Sequence, residues 1–586
     1  MTARSTEGSD AAGKSARKTT AAPARKTSAK TTAGSARKTS AKTTAASARK
    51  TSAKTAPAAA RKTAGKTPPA PARKATSKTA PAPARKATSK TAPAPARKTA
   101  SKRAPAQLPT SSDGDLIANR LTLEERAASG KAARTKTPLE AHADFAPAES
   151  RDPVGLLLSQ AKTRVPDLVP IRHGRMLVSP FTFYRGAALV MAADLESTPA
   201  SGLRTQLCGD AHLSNFGAYA SPERRLVFDI SDFDETLPGP FEWDIKRLAA
   251  SFVIAGRNNG FTKKQYRKAT LAAVETYRTA LRDFAAQPIL TVWYQHLEIE
   301  QALADYKASL TAGKSKERKA RFKATEAALA KAHTRDSLQA IEKLTAVVDG
   351  KRQIMSNPPL VIRGEDMTDM DTDVLFDRLR GLLINYSKTL QSDRRRLLDQ
   401  FTLTDIAQKV VGVGSVGTRA WILLLEAGVE AEALLLQAKE AGPSALAGYA
   451  GKSEYSHQGE RVVAGQHLMQ ASSDIFLGWL RARGTAGGQY TDYYLWQLRD
   501  WKLSAVIEEM VPLGMQVYAQ LCGWTLARAH ARAGDRIAMA AYLGNSDTFD
   551  NAIADFAETY ADQNERDYAA LAGAVAAGKV EAESGV

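Results

Sequence analysis

Cysteine is scarce in this sequence: Cys208 and Cys522 are the only two among 586 residues. So few thiols make neither a disulfide framework nor a cysteine-type zinc site. Long apolar runs are missing as well, and stretches such as Trp421-Ile-Leu-Leu-Leu425 are far too short to span a bilayer. The opening residues, Met1 to Asp10, lack the apolar core of a signal peptide. These absences predict a soluble cytoplasmic protein with no membrane partner. Acidic residues are missing from one part of the chain only. Residues 1–110 hold 26 Lys and Arg against Glu7 and Asp10, whereas the other 476 residues hold 56 basic and 59 acidic side chains. The net charge of +21 therefore belongs to the N-terminal fifth. That excludes a basic nucleic-acid-binding fold spanning the whole chain.

The same segment has no Val, Ile, Leu, Phe, Tyr or Trp before Leu108. With nothing to bury, it cannot offset the entropy cost of folding, which predicts a disordered tail over 1–110. It is also a repeat. Arg-Lys pairs fall at 25–26, 37–38, 49–50, 61–62, 73–74, 85–86 and 97–98, a constant step of twelve residues. This Lys/Ala/Pro/Thr text resembles the tails of linker histones and of bacterial histone-like proteins. A flexible cation of this density is expected to bind DNA or RNA by releasing counterions. Having no aromatic side chain to stack and no rigid element to read bases, it is expected to do so without sequence specificity. Nucleoid association follows from that expectation. The alternative is a solubilising tail lengthened by slippage. Its Ser and Thr beside basic residues are also possible phosphate acceptors.

The remainder reads as helix-rich α+β. Residues 111–164 are mixed and polar, a linker and entry segment with a short helix near Leu121–Arg126. From about 165 to 250 the text is strand-like, with Leu226-Val-Phe-Asp-Ile230 as a short apolar run. Helical spacing dominates from 262 to 346, and Asp349-Gly350 predicts a hairpin. A second strand-like block covers 409–438, a helix is predicted over 458–480, and the chain is mainly helical from about 504. The domain reading is 165–405 for one region, 406–503 for the next and 504–586 for a C-terminal helical part.

The densest chemistry lies in Gly209-Asp-Ala-His-Leu-Ser-Asn215, Asp229-Ile-Ser-Asp-Phe-Asp-Glu235 and Trp243-Asp-Ile-Lys-Arg-Leu-Ala249. Phosphoryl transfer needs a carboxylate to orient the attacking hydroxyl and oxygen ligands to hold magnesium on the phosphates. Asp210 and Asn215 sit five apart among small residues, and an apolar strand then delivers Asp232 to a turn. Further on, Gly412, Gly414 and Gly417 form Gly-x-Gly-x-x-Gly between two apolar runs, with Lys439 on the second run. Such glycines leave backbone N–H groups free for phosphates. Without the other segments this motif is a glycine-rich hairpin, and the carboxylates cap turns.

Gly-Asp-x-His-x-x-Asn resembles the catalytic loop of aminoglycoside phosphotransferases and choline-kinase-like enzymes, and Asp232-Phe233-Asp234 resembles the kinase Asp-Phe-Gly segment with Asp in place of Gly. By this resemblance Asp210 is the catalytic base with His212 beside it. Asn215 and Asp232 hold Mg2+, Asp229 is the runner-up, and Asp244 is structural. Gly412, Gly414, Gly417 and Lys439 cradle ATP, with Glu460 pairing Lys439 and Glu440 and Glu454 as rivals. Kinases place the glycine loop before the catalytic loop, whereas here it comes about 200 residues after. The resemblance therefore implies a two-lobed kinase-like fold with its lobes permuted in sequence; otherwise Arg172, Arg175 or Arg185 meets the phosphates. Together with Cys522–His530 these segments are similar to the bacterial domain of unknown function 2252, over most of residues 115–575. The expected activity is ATP/Mg-dependent transfer to an unknown acceptor, with AMP transfer using the same residues. The alternative is a non-catalytic nucleoid-associated scaffold with a pseudokinase-like core. His530 and the tryptophans Trp479, Trp496, Trp501 and Trp524 are expected to be structural.

Overall fold

The computed structural model describes residues 121–301, 337–367, 371–410, 416–428, 432–483, 488–498, 501 and 503–585. The basic tail, Gly412 and Gly414 lie outside the described residues.

The entry is helical rather than a mere linker. Helix α1 (Leu123–Lys136) starts at a capping box in which Thr122 Oγ1 accepts from Glu125 N at 3.2 Å and the Glu125 carboxylate accepts from Thr122 N. A 3-10 turn at Leu139–Ala143 then buries His142. Helices α2 (Pro153–Ala161), α3 (Val169–Met176), α4 (Pro180–Gly186) and α5 (Ala188–Glu196) follow, so the strand-like reading from 165 gives way to helix as far as Glu196. The start signal for α4 is Ser179-Pro180, a capping hydroxyl followed by a residue whose fixed φ suits the first turn.

Strands β1 (Arg204–Leu207), β2 (Phe216–Ala220), β3 (Leu226–Ile230) and β4 (Leu237–Pro240) come next; β1 pairs with β4 and β2 with β3, both antiparallel. Helix α6 (Phe241–Asn258) is buried without interruption from Phe241 to Gly256. A helix enclosed on all sides is a core element, and it brings charged side chains inside with it. Helix α7 (Lys263–Ala285) is amphipathic and leads to α8 (Ile289–Tyr294) and β5 (Leu297–Glu298).

After α9 (Ser337–Leu344), the hairpin of β6 (Thr345–Val348) and β7 (Lys351–Ile354) turns at Asp349 and Gly350, both with positive φ, as the Asp-Gly pair predicts. Strand β8 (Val361–Arg363), helices α10 (Thr372–Ser387) and α11 (Ser392–Leu398), and strands β9 (Phe401–Lys409), β10 (Ala420–Ala427) and β11 (Ala433–Ala441) follow. Helix α12 (Gln458–Met469) stops short of the predicted 480. Asp474 Oδ1 accepts from Phe476 N at 2.8 Å and turns the chain into β12 (Gly478–Arg483) and β13 (Tyr490–Gln497). The resulting antiparallel six-stranded sheet has the order β12-β13-β11-β10-β9-β8. Its central strands are apolar without alternation because both faces are covered. Leu423, Leu425, Leu434 and Leu436 pack with Tyr386 and Leu390 of α10 and its exit, while Ile422, Leu424 and Leu435 pack with Ala340 and Ile341 of α9.

Strand β14 (Leu503–Ser504) completes a sheet of order β14-β2-β3-β5, and α13 (Pro512–Ala533), α14 (Arg536–Leu543) and α15 (Thr548–Ala576) close the chain. Helices α6, α7, α13 and α15 share one large core, with Phe241, Phe252, Tyr277, Leu526 and Phe556 all buried. The fold is helix-rich α+β. Among the described residues no helix is long and apolar enough to cross a membrane.

The two halves of this core are pinned by charge. Asp229 on β3 is almost fully buried, takes Ile230 N and Ala471 N at 2.8 Å each, and pairs with the buried Arg528 of α13. Asp229→Ala, which strands Arg528 in the interior, is expected to cost about 3–5 kcal/mol in a denaturant melt.

Candidate active site

Three segments meet at one cleft, the third of them contributed from about 200 residues further along the chain. The first is the loop between β1 and β2. Its backbone is drawn tight by His212 N on Asp210 O at 2.7 Å and Asn215 N on His212 O at 2.8 Å. Asp244, in the first turn of α6, accepts from Cys208 N at 2.8 Å and Gly209 N at 3.1 Å. His530, fully buried, bonds Tyr277 Oη at 2.9 Å and lies 3.3 Å from Asp244 Oδ2, so it supports the anchor from behind and is structural. One turn beyond Asp244, Arg247 Nε donates to Asp210 Oδ1 at 2.5 Å. Burial acts to raise the Asp210 pKa, but Arg247, with His212 and Arg185, outweighs it and holds the carboxyl below the usual range. Arg247 leaves Oδ2 unused; His212 Nε2 stands 3.6 Å from it. Burial drives the His212 pKa down to about 3, so the ring beside Asp210 is neutral near pH 7, and its Nδ1 has no hydrogen-bond partner among the described residues.

The second segment is the turn after β3. Gly209 has φ +83°, and a Cβ there would lie 2.2 Å from the carbonyl oxygen of Glu235, so only glycine lets the first loop lie on this turn. Asn215 Nδ2 donates to Asp210 O at 2.9 Å, and Ser231 N donates to Asn215 O at 2.8 Å. Asp232 is therefore held beside Asn215. Burial, then the neighbouring Asp234, pushes the Asp232 pKa up to about 6 against the pull of Lys439.

The third segment is β11. Lys439 pairs with Asp234 and stands 3.8 Å from Asp232 Oδ2. Its cross-strand neighbour on β13, Tyr494, donates to Asp234 Oδ1 at 2.5 Å. Burial would lower the Lys439 pKa, but Asp232 and Asp234 carry it above the ordinary lysine value. Beside this group lies an open pocket lined by Ser231, Phe233, Gln466, Tyr494, Trp496 and Gln497.

Asp210, His212, Asn215, Asp232 and Lys439 are thus gathered in one place, and two other predicted residues are not. Asp229 has both oxygens engaged in the β3–α13 pin and offers nothing to a metal. Glu460 does not reach Lys439, and Glu440 pairs with Arg419 at 3.2 Å. The α12 side chain that faces the cleft is the buried Arg461, which donates to the carbonyls of Thr236 at 2.7 Å, Asp234 at 2.8 Å and Gly442 at 2.9 Å. Neighbours on a helix point about 100° apart, so Arg461 facing inward turns Glu460 away. Gly417, φ +89°, ends the glycine-rich segment, and its carbonyl accepts from Val165 N at 2.8 Å. Four contributors were not singled out from sequence: Arg247, Asp234, Tyr494 and Arg461. Arg247 was findable, being three residues from Asp244 on one helix face.

The model of the DUF2252 family, described as an uncharacterized protein conserved in bacteria, matches residues 164–574, more than half of the chain. The chain belongs to that family. No curated protein matches it, and no solved structure does. The DUF2252 match begins at Arg164, the residue whose Nη1 donates to Val416 O at 2.5 Å, and it takes in every cleft residue named above.

Glu235 gives this DUF2252 cleft a pH signature. Burial raises its pKa to about 7, partly offset by Ala445 N, which donates to the carboxylate at 2.5 Å. The folded state thus holds this proton longer than the unfolded chain does. The stability so gained is full below about pH 4.5 and is lost as pH rises through about 7. Glu235→Gln is expected to flatten this decline, gaining on the order of 2 kcal/mol at pH 8 relative to pH 5 in denaturant melts of the two proteins.

Proposed function

We propose that this DUF2252 protein is an ATP- and magnesium-dependent phosphotransferase with a kinase-like site whose two lobes are permuted in sequence. The observation that carries the reading is the meeting of Lys439 on β11 with Asp232 and Asp234, next to Asp210. A glycine-bearing connection between two strands, a Lys on the third strand and a helix after it form the order in which kinase-like small lobes are built. Here β9, β10, β11 and α12 follow that order.

The residues fit a hard divalent cation. Asn215 donates its amide nitrogen to Asp210 O, and no donor among the described residues reaches its Oδ1; Asp232 is a carboxylate short of positive charge. Among the described residues no three acidic, His or Cys side chains converge as a complete metal cage. Magnesium of the nucleotide-bound kind needs none, because it takes one or two protein oxygens with phosphates and water. When bound it would neutralise charge on the phosphates. Lys439 would bind the nucleotide phosphates, with the open pocket lined by Tyr494 and Trp496 on the side where the base would lie. Asp210 Oδ2 would orient the acceptor hydroxyl and take its proton, with Arg247 fixing the other oxygen. AMP transfer would draw on the same groups.

One observation favours a second reading, a nucleotide-binding scaffold without transfer. Lys439 has no glutamate from α12 as partner, and Asp234 takes that place. The two readings part at Asp210.

A ligand that binds only the folded state stabilises it by RT ln(1 + [L]/Kd), about 2.7 kcal/mol at a hundredfold excess. ATP with magnesium is expected to raise the melting temperature of the full chain, and Asp232→Ala to abolish the magnesium-dependent part of the shift. Asp210→Asn is expected to keep the shift and to lower ATP turnover at least 100-fold. An unchanged turnover in that variant selects the scaffold. The tail is proposed to hold the protein on nucleic acid. Duplex-DNA affinity of the full chain is expected to fall steeply between 50 and 200 mM salt, by orders of magnitude as several phosphate contacts imply. A flat salt response would refute the tail's role.

A further inference from the structure

Among the described residues, three guanidiniums around the cleft, Arg461, Arg185 and Arg172, pair with no carboxylate, and neutral oxygens satisfy only Arg461. Asp210 has Arg247 and Asp234 has Lys439. Arg185, at the end of α4, is half-buried and has neither a hydrogen bond nor an ion pair among the described residues, and its Nε is sealed from solvent without a partner among them. Arg172, fully buried, has only neutral acceptors: Nη2 donates to Gly186 O at 2.7 Å and to Gln160 Oε1 at 2.9 Å, leaving Nε and Nη1 unmatched. A guanidinium keeps its charge at any physiological pH, so an enclosed one without a counter-ion is costly.

The position of Arg185 is fixed from both sides. Its neighbour Tyr184 accepts from Arg247 Nη2 at 3.0 Å through its carbonyl, and donates its hydroxyl to Arg247 O at 2.8 Å. Its other neighbour, Gly186, is the residue gripped by Arg172. The Arg247 that orients Asp210 therefore also sets the backbone that carries Arg185. Burial lowers the Arg185 pKa, and Glu508, Asp210 and Asp232 act on it through space, none of them close enough for an ion pair. Arg185 thus stands within electrostatic reach of Asp210 without a carboxylate of its own among the described residues, which suits it to an anion. A guanidinium fork matches phosphoryl oxygens in pairs, which favours phosphate over a monovalent ion.

We propose that Arg185 is the anchor of the acceptor subsite and that the acceptor is a phosphorylated molecule, its phosphoryl group on Arg185 and its hydroxyl at Asp210. Arg172 is a positioning residue behind it. The assignment rests on the phosphotransferase reading, but phosphate binding at Arg185 does not require nucleotide. The same chemistry has a second source, the terminal phosphate of the nucleotide.

Isothermal titration of inorganic phosphate into the full chain at 150 mM salt, without nucleotide or magnesium, separates these outcomes. The tail is common to all variants, so its background cancels in the comparison. Arg185→Gln is expected to weaken phosphate binding at least tenfold, and Arg185→Lys to restore part of it. The ligand-free melting temperatures of both variants verify folding. With saturating ATP and magnesium present, phosphate binding to the parent protein is expected to persist. Equal phosphate affinity in Arg185→Gln and the parent overturns the proposal, as does absence of binding to the parent at millimolar phosphate. Displacement of phosphate by ATP but not by ADP overturns the acceptor role and gives Arg185 to the nucleotide. Failure of ATP to bind at all, with phosphate binding intact, overturns the phosphotransferase reading and the acceptor role together, and leaves a phosphate site that depends on Arg185.

Discussion

Everything at the cleft depends on one buried carboxylate accepting two backbone N–H groups. Asp244 projects from the first turn of α6 and holds Cys208 N and Gly209 N, so the loop bearing Asp210 is fastened to the most enclosed helix of the molecule. A carboxylate bonded in this way is strong because the low surrounding dielectric removes competition from water. One helical turn on, Arg247 emerges on the same face and takes Asp210. The backbone and the side chain of the loop are thus set by a single rigid element, so the loop needs no internal stiffness of its own. Gly209 then lets the turn after β3 rest on the loop at backbone contact.

The sheet contributes by a different kind of bond. Lys439 is nearly sealed from solvent yet charged, because two carboxylates from the turn after β3 face it. Neither side is satisfied alone: the aspartates repel each other, and the lysine is desolvated. Tyr494 and Arg461 finish the junction, the first on a carboxylate oxygen and the second on three carbonyls. The glycine-rich connection is held similarly by backbone, through Val165 N on Gly417 O. Sheet and loop are therefore joined in two ways, by carboxylates on a buried lysine and by main-chain oxygens on a buried guanidinium.

This explains what was legible in the sequence. Asp210, Asn215, Asp232 and Lys439 belong to short patterns whose spacing is itself the chemistry, so they stand out in the text. The doubly covered strands around Trp421–Leu425 and Leu434–Leu436 read as continuous apolar runs, and the Asp349-Gly350 hairpin follows from backbone preferences alone. Arg461 is not legible as a contributor, because its partners are mainly carbonyl oxygens, which leave no trace in a sequence. Asp229 also closes an apolar run, yet it lies inside β3, and only Asp232, three positions on, clears the strand. The helices over 169–196 were hidden by aromatic and β-branched residues that prefer strands locally; packing against the core overrides that preference.

The contacts that bring the sheet segment to the cleft share long sequence separations. Asp232 and Lys439 lie 207 residues apart, Arg164 and Val416 252, and Arg461 and Thr236 225. On a ribosome that emits the chain from its N-terminus, the loop with Asp210 and the turn with Asp232 are exposed long before the strand that neutralises them exists. During that interval the nascent chain carries an uncompensated acidic turn and an unfinished core. Assembly of the cleft is therefore a late, loop-closure-limited event in the life of each molecule, and the half-made protein is the species with most need of protection from aggregation.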